Sequence, residues 1–379
     1  MTFKFTLEAE SGTARAGVFE TPHGPLCTPV FAPVGTQAAV KAITPRDLHD
    51  LGAALVLANT YHLHLRPGDD LVRDLGGLHR FMDWDGPILT DSGGFQVVSL
   101  GDLRAIDDDG VTFKSHLDGT THRFTPERSI AVQEALAPDI AVAFDQPVFP
   151  SSPRDVVADA TKRTHRWAER SLAAHTRTDQ ALFGVIQGGL DPTLRTASAR
   201  YIASLPFDGL NIGGLAGDET PEQRNATIEL TVSELAGDRR PRYLMGLGSP
   251  LDLLEAVDRG IDLFDSVLPA RVARNAQLWV PGDRLNLRNE RYREDPRPVQ
   301  DDCPCLLCSR FSRAYLAHLF HARELLAYRL ATCHNLTFTL DFMARIRAAL
   351  RTGTFPVRAP ELRARAVRMS GGEGLGKPA

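Results

Sequence analysis

The chain has 379 residues, of which 43% are apolar and 24% charged, with a formal net charge of -4. This composition excludes a disordered or collagen-like polypeptide and has room for one large α/β domain with an accessory piece. No run of about 18 apolar residues spans a bilayer and residues 1–10 hold no long apolar stretch, so a soluble, cytoplasmic protein is expected.

Short apolar runs recur at 29–34, 53–58, 87–90, 140–144, 182–186, 209–212, 242–245 and 261–264, with amphipathic segments between them. Eight continuously apolar runs, each followed by a helical segment, predict an α/β protein built as a (β/α)8 TIM barrel, whose strands are buried on both faces. Several helix starts are marked by an oxygen-bearing cap followed by proline: Thr44-Pro45, Thr125-Pro126, Ser152-Pro153, Asp191-Pro192, Thr220-Pro221 and Ser249-Pro250. The cap accepts an orphan N–H, and proline presets the first turn. Between the third run and its helix, roughly 97–124, Asp107-Asp108-Asp109-Gly110 between Arg104-Ala105-Ile106 and Val111-Thr112-Phe113 predicts a β-hairpin insertion with an Asp-Gly turn.

A second insertion follows the eighth run. The expected division is a barrel over 1–275, a cysteine-bearing insertion over 276–334, a closing barrel helix over 335–355 and an extension over 356–379, its end after 370 disordered. Residues 281–370 carry 16 arginines and no lysine against 9 acidic residues, on a body that is otherwise acidic. Such a segment is either a phosphate-binding surface or a set of solvated helix faces.

The five cysteines are an odd number, and four of them lie within 303–333. Cys303, Cys305 and Cys308 pack three thiols into six residues, with Cys333-His334 about 25 residues on. Three thiolates and an imidazole make a closed tetrahedral Zn2+ site without a position for water, so the metal is expected to be structural. The favoured set is Cys303, Cys305, Cys308 and His334, with Cys333 as the competing fourth ligand.

Polar residues cluster directly after the apolar runs: Asp91, Asp145, Gln187, Gly213-Gly214, Gly246 and Asp265. In a barrel these positions converge on one rim. Any one of them is explained as a strand-end turn or cap, but together they suit a planar heterocycle: aspartate accepts N–H groups, glutamine bonds both ways, and glycines admit backbone N–H groups. Phe95 and Met245 are either core or stacking partners for such a ring. A partly desolvated carboxylate there acts as nucleophile or as acid and base.

Collinear motifs over roughly 10–352 resemble the tRNA-guanine transglycosylase family in its bacterial-type form. They include Asn59-Thr60-Tyr61-His62, Asp91-Ser92-Gly93-Gly94-Phe95-Gln96, Gln187-Gly188-Gly189, Gly213-Gly214-Leu215-Ala216, Tyr243-Leu244-Met245-Gly246, Asp265-Ser266-Val267-Leu268-Pro269-Ala270-Arg271 and the Cys303 cluster. The resemblance implies exchange of the wobble guanine, position 34, in tRNAs with a U-G-U core for a 7-deazaguanine, preQ1 or queuine. It makes Asp265 the nucleophile that holds the ribose covalently, and Asp91 the group that moves the proton. Asp145, Gln187, Gly214, Leu215 and Gly246 would read the purine, with Phe95 and Met245 against its faces. Asn59 and Gln96 would support the nucleophile, while Arg271 and Arg274 hold the flanking uridines. A homodimer is implied as well.

The sequence departs from the common bacterial pattern at Gln146-Pro147, Gly217, Ser266 and Ala270. Gly217 removes a side chain beside the pocket, which implies room for the bulkier queuine. Two other readings are a tRNA-binding partner without catalysis and a deazaguanine transglycosylase acting on DNA. Retention of both Asp91 and Asp265 speaks against the first, and the match around Arg271 and Arg274 against the second.

Overall fold

The structure, a computed structural model, describes residues 3–99, 104–215 and 217–366. It opens with a three-stranded antiparallel sheet, β1 (Phe5–Ser11), β2 (Ala14–Thr21) and β3 (Gly24–Thr28), that the sequence reading did not separate from the barrel. Next come β4 (Val30–Gly35), β5 (Val56–Ala58), β6 (Ile88–Thr90), an excursion of β7 (Arg104–Ile106), β8 (Val111–Lys114) and β9 (Thr121–Phe124), then β10 (Ile140–Val142), β11 (Ala181–Ile186), β12 (Gly209–Ile212), β13 (Arg242–Leu244) and β14 (Leu263–Ser266). β15 (Gln277–Val280) and β16 (Asp283–Asn286) form a final hairpin.

The eight expected strands close into one parallel barrel in the order β4-β5-β6-β10-β11-β12-β13-β14. Each apolar run became one of them. The expected hairpin is present as β7–β8, its turn held by Asp107 Oδ1, which accepts from Asp109 N at 2.9 Å and Gly110 N at 3.0 Å. It gains β9 as a third strand. Five of the six cap signals start helices as expected. The exception is Ser152-Pro153: the helix begins at Arg154 with Pro153 at the cap, and no side chain caps it. There Ser152 N donates to Phe149 O at 2.9 Å, so the serine closes a preceding turn.

Leu26, Val30, Leu57, Leu89, Ile140, Val142, Phe183, Val185, Tyr243 and Leu263 fill the barrel interior. The N-terminal sheet adds Phe19 to this core, edge-on to Phe183 with ring centroids 5.7 Å apart. Burying one such ring contributes about 2 kcal/mol, so the sheet works as a plug rather than an appendage. On that side Arg15 meets Asp262 at 3.0 Å through Nε and 2.5 Å through Nη2, both fully buried.

Side chains alternate faces along a strand, so residues two apart share one. Leu57, Leu89, Val185, Tyr243 and Leu263 point inward, and two residues on in each case come Asn59, Asp91, Gln187, Met245 and Asp265. The barrel thus lifts the candidate residues one rung above its own core. Asp265 is part of β14, paired in register with Ala32, rather than of the loop beyond.

The helix Leu325–Arg351 carries His334, packs under β15 and continues along the barrel against β4. The boundary expected at 334–335 falls inside this continuous helix. The helix Phe355–Arg365 begins the extension, and the tail expected to be disordered after 370 lies outside the described residues. Among the described residues no helix is long and apolar enough to cross a membrane.

Candidate active site

Asp91 is buried and accepts hydrogen bonds from three sources. Thr60 N reaches Oδ1 at 2.9 Å, while Gln96 Nε2 at 3.0 Å and the amide of Asn59 reach Oδ2. Asn59 is itself the cap of the helix Thr60–Leu65, accepting from His62 N, so the helix start aims its amide at Asp91. Burial lifts the Asp91 carboxyl to about 7; the Thr60 N–H opposes the rise and the nearby Asp265 charge adds to it.

Asp265 takes both its hydrogen bonds on Oδ1, from Tyr243 Oη at 2.6 Å and Gly246 N at 2.8 Å. Its Oδ2 has no hydrogen-bond partner among the described residues. Desolvation in the barrel mouth raises its pKa above the usual carboxylate value, against the pull of Tyr243 and Gly246. Burial, then the Asp265 charge, pushes the Tyr243 phenol well above its ordinary value, so it stays a donor.

The third carboxylate, Asp145, follows β10. Ser92 Oγ donates to its Oδ1 at 3.1 Å and Gln187 Nε2 to its Oδ2 at 2.7 Å. Burial pushes it up to about 6, against those two bonds. Gln187 is 1% exposed, and its Oε1 is buried with no hydrogen-bond partner, which is an open acceptor. Glycine is required beside it: a Cβ at Gly213 would stand 2.6 Å from Gln187 Nε2, and at Gly214, where φ is +71°, 2.7 Å from Oε1. The arrangement presents carboxylate and amide groups to a flat polar edge.

The other expected residues are placed unevenly. Phe95 is 55% exposed, so it is not core, and Met245 is partly buried against the barrel interior. Leu215 buries its side chain between barrel and helices, leaving only its backbone for the pocket. Gly246 lies at the mouth as the donor to Asp265. Arg271 and Arg274 lie half-buried on the helix Leu268–Arg274; burial, then the Arg274 charge, holds Arg271 below its usual pKa. Where a Cβ at Gly217 would go, Pro150 Cδ lies 2.8 Å away. The missing side chain therefore admits the 146–150 loop.

Tyr243, Thr60 and Ser92 touch the key carboxylates and were missed as site residues. For Tyr243 a signal existed, since it lies two residues before Met245 on an inward-facing strand.

Beside the barrel, Sγ of Cys303, Cys305 and Cys308 lie 3.7, 3.5 and 3.3 Å from His334 Nδ1. An S···N edge of a tetrahedral zinc site is about 3.6 Å. All four donor atoms fall within 4.8 Å of one another and could hold a metal ion. His334 Nε2 lies 2.7 Å from Trp279 O, a contact that places the proton there and leaves Nδ1 available to a metal. Cys333 does not join: it is buried on the barrel side of the helix, and burial pushes its thiol up to about 12.

A closed parallel barrel with desolvated carboxylates at the C-terminal ends of its strands defines an enzyme of the (β/α)8 class. The sequence profile of the Queuine tRNA-ribosyltransferase family matches residues 10–366. Bacterial relatives named queuine tRNA-ribosyltransferase include those of Herpetosiphon aurantiacus, 53% identical over 92% of this chain and 88% of the relative, and Moorella thermoacetica, 53% identical over 93% and 94%. That of Thermus thermophilus is 52% identical over 93% and 91%. The chain belongs to this family and is a pentosyltransferase.

Proposed function

We propose that this enzyme exchanges the guanine at wobble position 34 of tRNAs with a U-G-U core for a 7-deazaguanine, by double displacement through a ribosyl ester on Asp265. The observation that carries the reading is the asymmetry of Asp265: Oδ1 is held by Tyr243 and Gly246, and Oδ2 is open. Oδ2 attacks C1′ as the bond to the purine breaks, and the bonding pair leaves with the base. Splitting one displacement into two in this way is what a carboxylate does in retaining glycosidases.

Asp91, with a carboxyl lifted to about 7, holds a proton at neutral pH and gives it to the leaving guanine. It then takes the proton of the incoming base, which attacks C1′ and frees Asp265. Asp145, the open Gln187 Oε1, Gly214, the Leu215 backbone and Gly246 read the base edge, with Phe95 and Met245 at its faces. Asn59 and Gln96 hold Asp91 directly. Arg271 and Arg274 contact the flanking nucleotides, where a phosphate relieves the repulsion between their charges. Zinc on Cys303, Cys305, Cys308 and His334 fits the donor set and supplies structure alone, and a homodimer is expected.

The incoming base is preQ1. Because Pro150 occupies the space at Gly217, room for queuine has no support from that glycine. Incubating tRNA with guanine, preQ1 and queuine in competition, followed by mass spectrometry of the nucleosides, tests this. Asp265→Asn abolishes the denaturation-resistant tRNA adduct while keeping zinc; an adduct in that variant removes Asp265 as nucleophile.

A further inference from the structure

The base-reading rim rests on a cation that no carboxylate balances among the described residues. Arg195, in the helix Pro192–Ala203, is fully buried and makes no ion pair among the described residues. Its Nε and Nη2 donate to Gly189 O at 3.2 and 2.6 Å, and its Nη1 to Ile186 O at 3.0 Å and Gly213 O at 3.1 Å. Burial pushes the guanidinium down to about 9. A charge bonded only to carbonyls is an expensive way to fill an interior position that a leucine would fill at no desolvation cost.

What those carbonyls share is their place. Ile186 ends β11 and Gly189 lies three residues beyond it, on either side of Gln187, while Gly213 is the first residue past β12, directly before Gly214. In a planar trans peptide the C=O and N–H point in opposite directions, so holding Gly213 O on Arg195 turns the Gly214 N–H away from it. The Ile186 carbonyl is fixed in the same way, and the N–H of its peptide, on Gln187, donates to Ser198 Oγ at 3.1 Å. Gly213 N also bonds Ile186 O at 3.0 Å, tying the two strand ends into one unit. The glycine conformation at 214 is otherwise free to rotate.

We propose that Arg195 is the positioning residue for base recognition: it holds the carbonyls of Ile186, Gly189 and Gly213 so that the Gly214 N–H and the open Gln187 Oε1 face one edge of the purine at fixed spacing. This rests on the purine-exchange reading above.

The test compares wild type, Arg195→Lys and Arg195→Met, scored by calorimetric Kd for free guanine and by KM for guanine and tRNA in the exchange reaction, per folded, zinc-loaded molecule. Expected for Arg195→Met is a weakening of guanine binding of roughly tenfold, the ratio that about 1.4 kcal/mol corresponds to, with KM for tRNA unmoved. The lysine reaches fewer carbonyls and recovers part of the loss. A merely structural role lowers the folded fraction but leaves guanine affinity per folded molecule intact, and that result overturns the proposal. Should the methionine variant not fold, the lysine variant decides: unchanged guanine Kd overturns, weakened Kd supports. Wild-type protein that binds guanine without exchanging it refutes the exchange reading while leaving the Arg195 measurement valid, and failure to bind any purine sinks both.

Discussion

Tyr243→Phe isolates the electrostatics of the proposed nucleophile, Asp265. The ring stays in the barrel core and only the phenol oxygen goes, leaving Asp265 Oδ1 with the Gly246 N–H alone. A hydrogen bond to a charged group is worth about 1.5–3 kcal/mol, so its loss raises the Asp265 pKa further. The direction follows because the tyrosine hydrogen bond lowers this pKa against the raising effect of burial. In the proposed displacement, attack on C1′ needs the ionised carboxylate, so the acid limb of the capture rate moves to higher pH. The plateau rate does not fall, since the attacking Oδ2 has no donor to lose and the carboxylate, relieved of one donor on Oδ1, is no weaker as a nucleophile. Rapid-quench measurement of denaturation-resistant tRNA adduct from about pH 5 to about pH 9 gives the profile. An acid limb that stays in place, or moves to lower pH, refutes the assignment of Tyr243 as the group that keeps Asp265 ionised.

Asp91 has a folded pKa of about 7, above its unfolded value near 4, so the folded state binds the extra proton and loses stability as pH rises between the two. Urea unfolding of Asp91→Asn against wild type is expected to show a difference that shifts in the variant's favour from about pH 4 to about pH 8, by on the order of 4 kcal/mol at most; a pH-independent difference counts against a protonated Asp91. Metal analysis is expected to find zinc reduced in Cys308→Ser and His334→Ala but retained in Cys333→Ser, and loss in the last alone would reverse the ligand assignment. Arg15→Met leaves the buried Asp262 with only the Arg242 N–H and the nearby Arg242 charge, costing up to about 3–5 kcal/mol in chemical denaturation while leaving kcat per folded molecule unchanged. A loss under about 1 kcal/mol shows that the pair is not needed below the barrel.

The barrel was legible because burial on both faces forces each strand to be an uninterrupted apolar run, and eight such runs have few other solutions. β1 is different. Phe5–Ser11 alternates half-buried and exposed residues, and that pattern does not identify the sheet on which it lies. At the site, residues that end strands could be read directly, since a polar side chain after an apolar run stands out. Tyr243 could not be separated from core by type, because its ring is core and only its hydroxyl belongs to the site. Arg195 offered no signal at all: on an amphipathic helix an arginine reads as solvated, and only the tertiary arrangement shows it buried under three carbonyls. The choice between Cys333 and His334 likewise needed the helical rotation between neighbours, about 100° per residue, which turns one side chain to the thiol cluster and the other to the barrel.

That same helix, Leu325–Arg351, gives the molecule a common fate. One rod supplies His334 to the cysteine cluster and, a few turns on, Phe342, Met343 and Ile346 to the apolar layer between the barrel and its helices. Peeling the cluster away therefore requires breaking the rod or pulling its far half out of the barrel. The two regions should melt as one calorimetric transition.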